Sequence, residues 1–135
     1  MKRAVLLAVC AAVLFAGPEE DAWNLVARLA TDLSANNGVE FLAHIDPKMP
    51  GYETLYNDVL ALTREAALSS SIDPISNRGD DRNRTLEVDW IMELTGRDNS
   101  AVFQRRHEKV KLQMKKEGRH WRVVGLEPLR LFRPA

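Results

Sequence analysis

The stretch from Arg84 to Gly96, RTLEVDWIMELTG, switches chemistry at almost every residue. Leu86, Val88, Trp90, Met92 and Leu94 are apolar, and Thr85, Glu87, Asp89 and Glu93 between them are polar or acidic. A period of two belongs to a strand with one face on a core and the other in water. The next run, from Val102 to Lys116, must bring Val110, Leu112 and Met114 to that same core. This fixes the parity of the pairing, because a slip of one residue turns every side chain over. The register that satisfies both strands sets Val88 opposite Val110 and Leu86 opposite Leu112 inside. Outside, Glu93 faces Arg105, Asp89 faces Lys109 and Glu87 faces Lys111. Each opposed charge pair contributes about 0.2 to 1 kcal/mol.

This pairing also decides how the cluster QRRHEKVKLQMKK is read. Alone it has the look of a basic patch for RNA or phosphate; beside an acidic strand it is a solvated, neutralised face, with few aromatics for bases to stack on. The chain carries 19 Lys plus Arg against 19 Asp plus Glu, so no net field draws it to a polyanion. No nucleic-acid partner is expected.

Alternation also marks strands from Leu68 to Ile75 and from Arg119 to Leu126, with a last extended piece through Phe132. SNRGDDRN, GRDNS and KEGR form the turns. A two-residue turn at Glu117-Gly118 pairs Lys116 with Arg119, Met114 with Trp121 and Leu112 with Val123. Upstream the period is helical. Glu19 to Ala35 repeats apolar residues at Trp23, Val26, Ala27, Ala30 and Leu33, with Glu19, Glu20 and Asp21 at the positive end of the helix dipole. Asn36, Asn37 and Gly38 stop it. VEFLAHI makes a short second helix that ends before Pro47, and a third runs from about Tyr52 to Ala66, burying Leu55, Val59, Leu62 and Ala66. Helices followed by an antiparallel meander give an α+β domain with the helices on one face of the sheet.

The first residues, MKRAVLLAVCAAVLFAGPEE, combine a basic start, an apolar run from Ala4 to Ala16 and small residues before an acidic stretch. This is the layout of a signal peptide over residues 1–17, cleaved near Ala16 or Gly17, ahead of a single domain over residues 18–135. The run is shorter than the roughly 20 apolar residues of a membrane span, so no stable anchor is expected after cleavage. Val9 stands where a lipoprotein would have a small residue before Cys10. Without Cys10, the only cysteine, the mature chain has no thiol chemistry. A secreted or periplasmic location follows.

The order of elements, the DPKMPGYETL link, the strand LEVDWIMEL and the ending HWRVVGLEPLRLF resemble the nuclear transport factor 2-like, or SnoaL-like, superfamily over nearly all of the mature chain. The resemblance implies a cone: three N-terminal helices packed on a strongly curved antiparallel β-sheet, with a pocket inside. It implies no single activity, because the fold hosts isomerases, dehydratases, cyclases, hydrolases and non-catalytic members. The family's aspartate, histidine or tyrosine constellation has no residue-by-residue counterpart here. Asp89 falls on the outer face, and no catalytic residue is assigned.

The expected ligand-binding set follows from the inner face. Trp23, Trp90, Met92, Val110, Met114 and Trp121 line the cavity. Arg106 beside Met92 and Glu108 beside Trp90 are charged on the side that should be core, which implies either a sheet curving away so that they rim a cavity or a bulge turning them outward. They could bind a polar ligand group or pair with each other. Tyr52 and Tyr56 stand one helical turn apart, a spacing that either aims two phenols into the cone or packs them at the helix edge with their hydroxyls in water; Tyr56 joins the set. His44 with Asp46 is either an acid–base pair or a helix-end cap. Ser69 to Ser71 lack a histidine partner and read as a strand. His44, His107 and His120 are too scattered for a metal, and no cofactor is expected.

The function expected is a non-catalytic secreted or periplasmic protein that holds a small apolar molecule or a protein partner in its cavity, as a monomer or weak homodimer. One alternative is a cofactor-free isomerase, dehydratase or hydrolase acting on a small organic molecule. The other is assembly through the outer sheet face, where Ile91, Val124 and Leu126 leave an apolar spot.

Overall fold

The structure is a computed structural model that describes residues 17–135; the apolar run from Ala4 to Ala16, with Cys10 inside it, lies outside the described residues. Three helices, α1 (Pro18–Ser34), α2 (Gly38–Ala43) and α3 (Tyr52–Glu65), precede four strands, β1 (Ala67–Gly79), β2 (Asn83–Thr95), β3 (Val102–Glu117) and β4 (His120–Glu127). The strands form one antiparallel sheet in chain order, and a 3-10 helix at Leu129–Phe132 follows. This is the α+β architecture expected, with the helices on the concave face of a curved sheet. The final segment curls into a 3-10 turn instead of extending through Phe132.

The β2–β3 register is the expected one: Val88 faces Val110, Leu86 faces Leu112, Glu87 faces Lys111, Asp89 faces Lys109 and Glu93 faces Arg105. Leu86, Val88, Trp90, Met92, Leu94, Val110 and Leu112 are all fully buried. The outer ion pairs are partly displaced from that register. Arg105 holds Glu93 directly, but Lys109 reaches Glu87 at 3.4 Å and Asp89 contacts His107 at 3.3 Å. The right-handed twist of the sheet brings diagonal neighbours within reach of long side chains, so two pairs step by two residues.

The β3–β4 hairpin departs from expectation. Its turn residues are Gly118 and Arg119, so Lys116 pairs with Trp121 and Met114 with Val123. Gly118 takes φ +61 at the first turn position, the place where a type II′ turn wants glycine. A bulge between Gln113 and Met114 then shifts the ladder, setting Gln113 against Gly125 and Leu112 against Leu126. A Cβ on Gly125 would lie 2.5 Å from Gln113 Oε1 and 3.1 Å from Gln113 Cβ, so a larger residue there would require the Gln113 side chain to move. The consequence of the bulge is that Leu126 turns into the core, 6% exposed, and leaves the outer apolar spot to Ile91 and Val124.

On the helical side, α1 lies antiparallel along β1. Asn77 Nδ2 donates to the Glu19 carbonyl at one end, and the Ser70 amide donates to Ser34 Oγ at the other. Its buried face is Ala22, Leu25, Val26, Leu29, Ala30 and Leu33, one step round from the expected face, so Ala27 is exposed and Trp23 packs on the flank. Asn36, at φ +54, donates to the Thr63 and Ala66 carbonyls and accepts from the Leu68 amide, tying the end of α1 to the α3–β1 junction. Helix α2 stops at Ala43, short of the expected Ile45. The Asp46 amide donates to the Val123 carbonyl and the Val123 amide to the His44 carbonyl, so this segment covers part of the free edge of β4. Helix α3 buries Leu55, Val59 and Leu62 as its spacing requires.

Candidate functional site

The inner face of the sheet has two ends. At the end near the β2–β3 hairpin, the C-terminal segment fills the cone. Phe132 is fully buried, packed edge-on against Trp90 and tilted by 49° against Phe41, with ring centroids 5.5 Å apart in each case. Trp90 Nε1 is satisfied by Ser70 Oγ at 2.6 Å. Trp90, Met92, Val110 and Met114, four residues of the expected lining, are at most 1% exposed, and the chain's own side chains occupy the space before them.

Arg106 and Glu108 do lie opposite Met92 and Trp90 on the inward side, and both hold the C-terminal segment. Arg106 donates to the carbonyl of Leu131 at 2.8 Å, to that of Arg133 and to Gln104 Oε1, while Glu108 accepts from Arg130 Nε and Nη2 at 2.8 and 3.0 Å. They are not paired with each other. Burial draws the Arg106 pKa down, and the Arg130 hydrogen bonds hold the Glu108 carboxyl below the usual glutamate range. These charges are therefore fasteners for the tail.

The other end, by the β3–β4 hairpin, is open. A cleft of about 680 Å³ lies there. Asp21, Asn24, Leu25 and Arg28 of α1 form one wall, and Ala43 and His44 at the end of α2 form the base. Arg119 to Arg122, from the hairpin into β4, form the opposite wall. Trp121, 7% exposed, is the one member of the expected set found here. Trp23 stands on the flank of α1, and Tyr56 is 43% exposed beside Tyr52 on α3, over a separate surface depression.

Of the two readings of His44 and Asp46, the helix-end one is found: His44 is the C-cap of α2, and its side chain contacts Asp32, Nε2 to Oδ2 3.5 Å. Asp46 Oδ1 instead accepts from the Lys48 amide at 2.8 Å, closing the turn. Burial raises the Asp32 carboxyl above its ordinary range, opposed by the neighbouring His44. Among the described residues, four buried side-chain polar atoms lack a hydrogen bond: Asp32 Oδ2, His44 Nε2, Trp121 Nε1 and Arg122 Nε. His44, Trp121 and Arg122 line the cleft, and Asp32 stands behind His44. Arg122 is only loosely engaged, with Nε 3.5 Å from Glu117 and Nη2 3.3 Å from the Ile45 carbonyl. Arg28 and Arg119 have no carboxylate within 4.0 Å among the described residues. Sequence analysis missed Asp32, Arg28, Arg119 and Arg122. A signal existed for two of them: Arg28 lies one helical turn before Asp32 on α1, the spacing of a shared face.

Among the described residues no group of three His, Cys, Asp or Glu could hold a metal, and no helix is long and apolar enough to cross a membrane.

No protein-family model and no curated protein matches the sequence. Solved structures do match in shape. A conserved protein from Planctomyces limnophilus superposes with a TM-score of 0.70 at 9% identity, covering 80% of this chain and 91% of that one. A nuclear transport factor 2-like superfamily protein from Salmonella enterica gives 0.65 at 13% identity over 80% and 87%. A protein with a cystatin-like fold from Caulobacter vibrioides gives 0.63 at 14% over 81% and 86%. The chain thus has the nuclear transport factor 2-like fold that its element order implied.

Proposed function

We propose that this protein is a non-catalytic small-molecule binding domain of secreted or periplasmic location, and that its ligand enters the cleft between α1, α2 and the β3–β4 hairpin. The apolar interior, where the sequence alone put the ligand, is the weaker site, because Phe132 occupies it. The observation that carries the reading is the contrast in filling: a closed core at one end of the sheet and a cleft of about 680 Å³, within the ordinary range for small-ligand sites, at the other. Export is supported by the basic start and short apolar run of residues 1–17.

The test is native mass spectrometry of protein recovered from the periplasm or medium of an exporting host. The reading expects a chain beginning near Gly17 or Pro18 with a small molecule retained, and that molecule lost when Trp121 is replaced by alanine. A full-length chain inside the cell, or retention indifferent to Trp121, contradicts it.

One observation favours a second reading, that of a cofactor-free acid–base enzyme. Asp32 and His44 form a carboxylate–imidazole contact at the cleft, and because Nε2 is buried, the exposed part of the ring is its other edge. A base held this way could move a proton on a bound molecule. If the retained molecule is turned over, and His44→Ala abolishes turnover while leaving binding intact, the enzymatic reading replaces the first.

A further inference from the structure

We infer that the ligand of the cleft is a small organic oxyanion, a carboxylate or a phosphate ester, gripped by arginine side chains beside Trp121. This rests on the cleft being the binding site and names the chemistry it selects. Donors and acceptors at the cleft are mismatched. Trp121 Nε1 and Arg122 Nε are buried N–H groups, donors only; among the described residues the first has no hydrogen-bond acceptor and the second has only the Glu117 carboxylate, 3.5 Å away and beyond a good hydrogen bond. Such a group left unmade inside a protein is costly, so a partner carrying oxygen acceptors is favoured over one that brings further donors.

Charge points the same way. Three arginines, Arg28, Arg119 and Arg122, line the cleft against a single lining carboxylate, Asp21. Arg28 and Arg119 are exposed, engage no carboxylate within 4.0 Å and make no side-chain hydrogen bond among the described residues. In a chain with as many acids as bases, that is a local surplus, and a concave wall concentrates its field. The guanidinium fork matches the two oxygens of a carboxylate or phosphate. Leu25 and Ala43 give the remainder of the ligand an apolar contact, which is why an organic body is expected.

Arg122 can turn to a ligand cheaply. It would give up a 3.5 Å contact to Glu117 and a 3.3 Å bond to the Ile45 carbonyl, both long.

The three tryptophans allow a direct test, because each indole N–H gives its own resonance in the ¹⁵N-labelled mature protein. The probes are benzoate, phenyl phosphate and benzyl alcohol. Benzoate or phenyl phosphate should shift the Trp121 signal saturably and leave Trp90 in place. Added salt should weaken the effect, and benzyl alcohol should not reproduce it. The tighter of the two oxyanions tells carboxylate from phosphate. Arg28→Gln and Arg119→Gln, both on the surface, should each weaken binding about tenfold or more with the remaining spectrum unchanged. If benzyl alcohol titrates Trp121 as tightly as benzoate, the oxyanion class is overturned while the cleft remains the binding site. If the probes move Trp90 and spare Trp121, or none of them moves Trp121, both the class and the site are overturned.

Discussion

The two ends of the concave face place polar groups where an apolar core would be expected, and they treat them differently. At the closed end, Arg106 and Glu108 meet the chain's own carbonyls and Arg130, and Phe132 fills the core between Phe41 and Trp90. At the open end Arg84, 9% exposed, is likewise satisfied, by Asn77 Oδ1 and the Asp80 carbonyl. A few residues away, among the described residues, Trp121 Nε1 has no acceptor and Arg122 has only long contacts, to Glu117 at 3.5 Å and the Ile45 carbonyl at 3.3 Å. A polar group on an inner face is therefore no mark of a binding site in itself. What sets the cleft apart from the rest of the face is whether the chain already supplies the partner.

The contrast can be broken at the closed end first. Phe132→Ala removes a fully buried ring from between Phe41 and Trp90 and should cost about 3 to 5 kcal/mol in chemical denaturation; a loss below about 1 kcal/mol would mean that the tail is not part of the core. Ser70→Ala strands the Trp90 indole N–H and should cost about 1 to 3 kcal/mol, read in the same experiment. At the open end the stability effect should nearly vanish. Arg28→Gln and Arg119→Gln together should stay within about 0.5 kcal/mol of the parent, since both are exposed and unengaged. A larger loss would make these arginines structural.

The smallest effect is one of pH, and the two ends should move in opposite directions. Glu108 has a lowered pKa, first through its hydrogen bonds from Arg130, so its contribution is present above the ordinary glutamate range and is lost as pH falls through the depressed value. Asp32 has a raised pKa through burial, so its contribution is present below the ordinary aspartate range and is lost as pH rises through the raised value. Denaturation midpoints between about pH 3 and 7 should show Glu108→Gln flattening the acid side, and Asp32→Asn stabilising the protein towards neutrality. The reverse sign for Asp32→Asn would show that its charge is well paired with His44.

The closed end was partly legible in the sequence, and the open end scarcely at all. Alternation in LEVDWIMEL and the facing charges fixed the β2–β3 register, and with it the inward position of Arg106 and Glu108. Their partners were hidden because the tail reads as extended by its alternating residues, yet folds back as a 3-10 turn. The β3–β4 register failed by two residues at the turn and again at Gly125, an isolated glycine inside a strand pattern, which is a known sign of a bulge. The Asp32–His44 contact depends on how Asn36 folds α2 back on α1, a tertiary fact that no spacing rule contains. The cleft is assembled from three such segments, so its arginines look like ordinary surface residues along the chain.

The central proposal is that the chain fills its own cone at Phe132 and binds a ligand in the cleft beside Trp121. A crystal structure of the mature protein grown with benzoate or phenyl phosphate tests it most directly. The predicted map has the oxyanion between Arg119, Arg122 and Arg28, with Phe132 unmoved against Trp90. Density for the probe beside Trp90, with Phe132 and the C-terminal segment swung out of the cone, would contradict it.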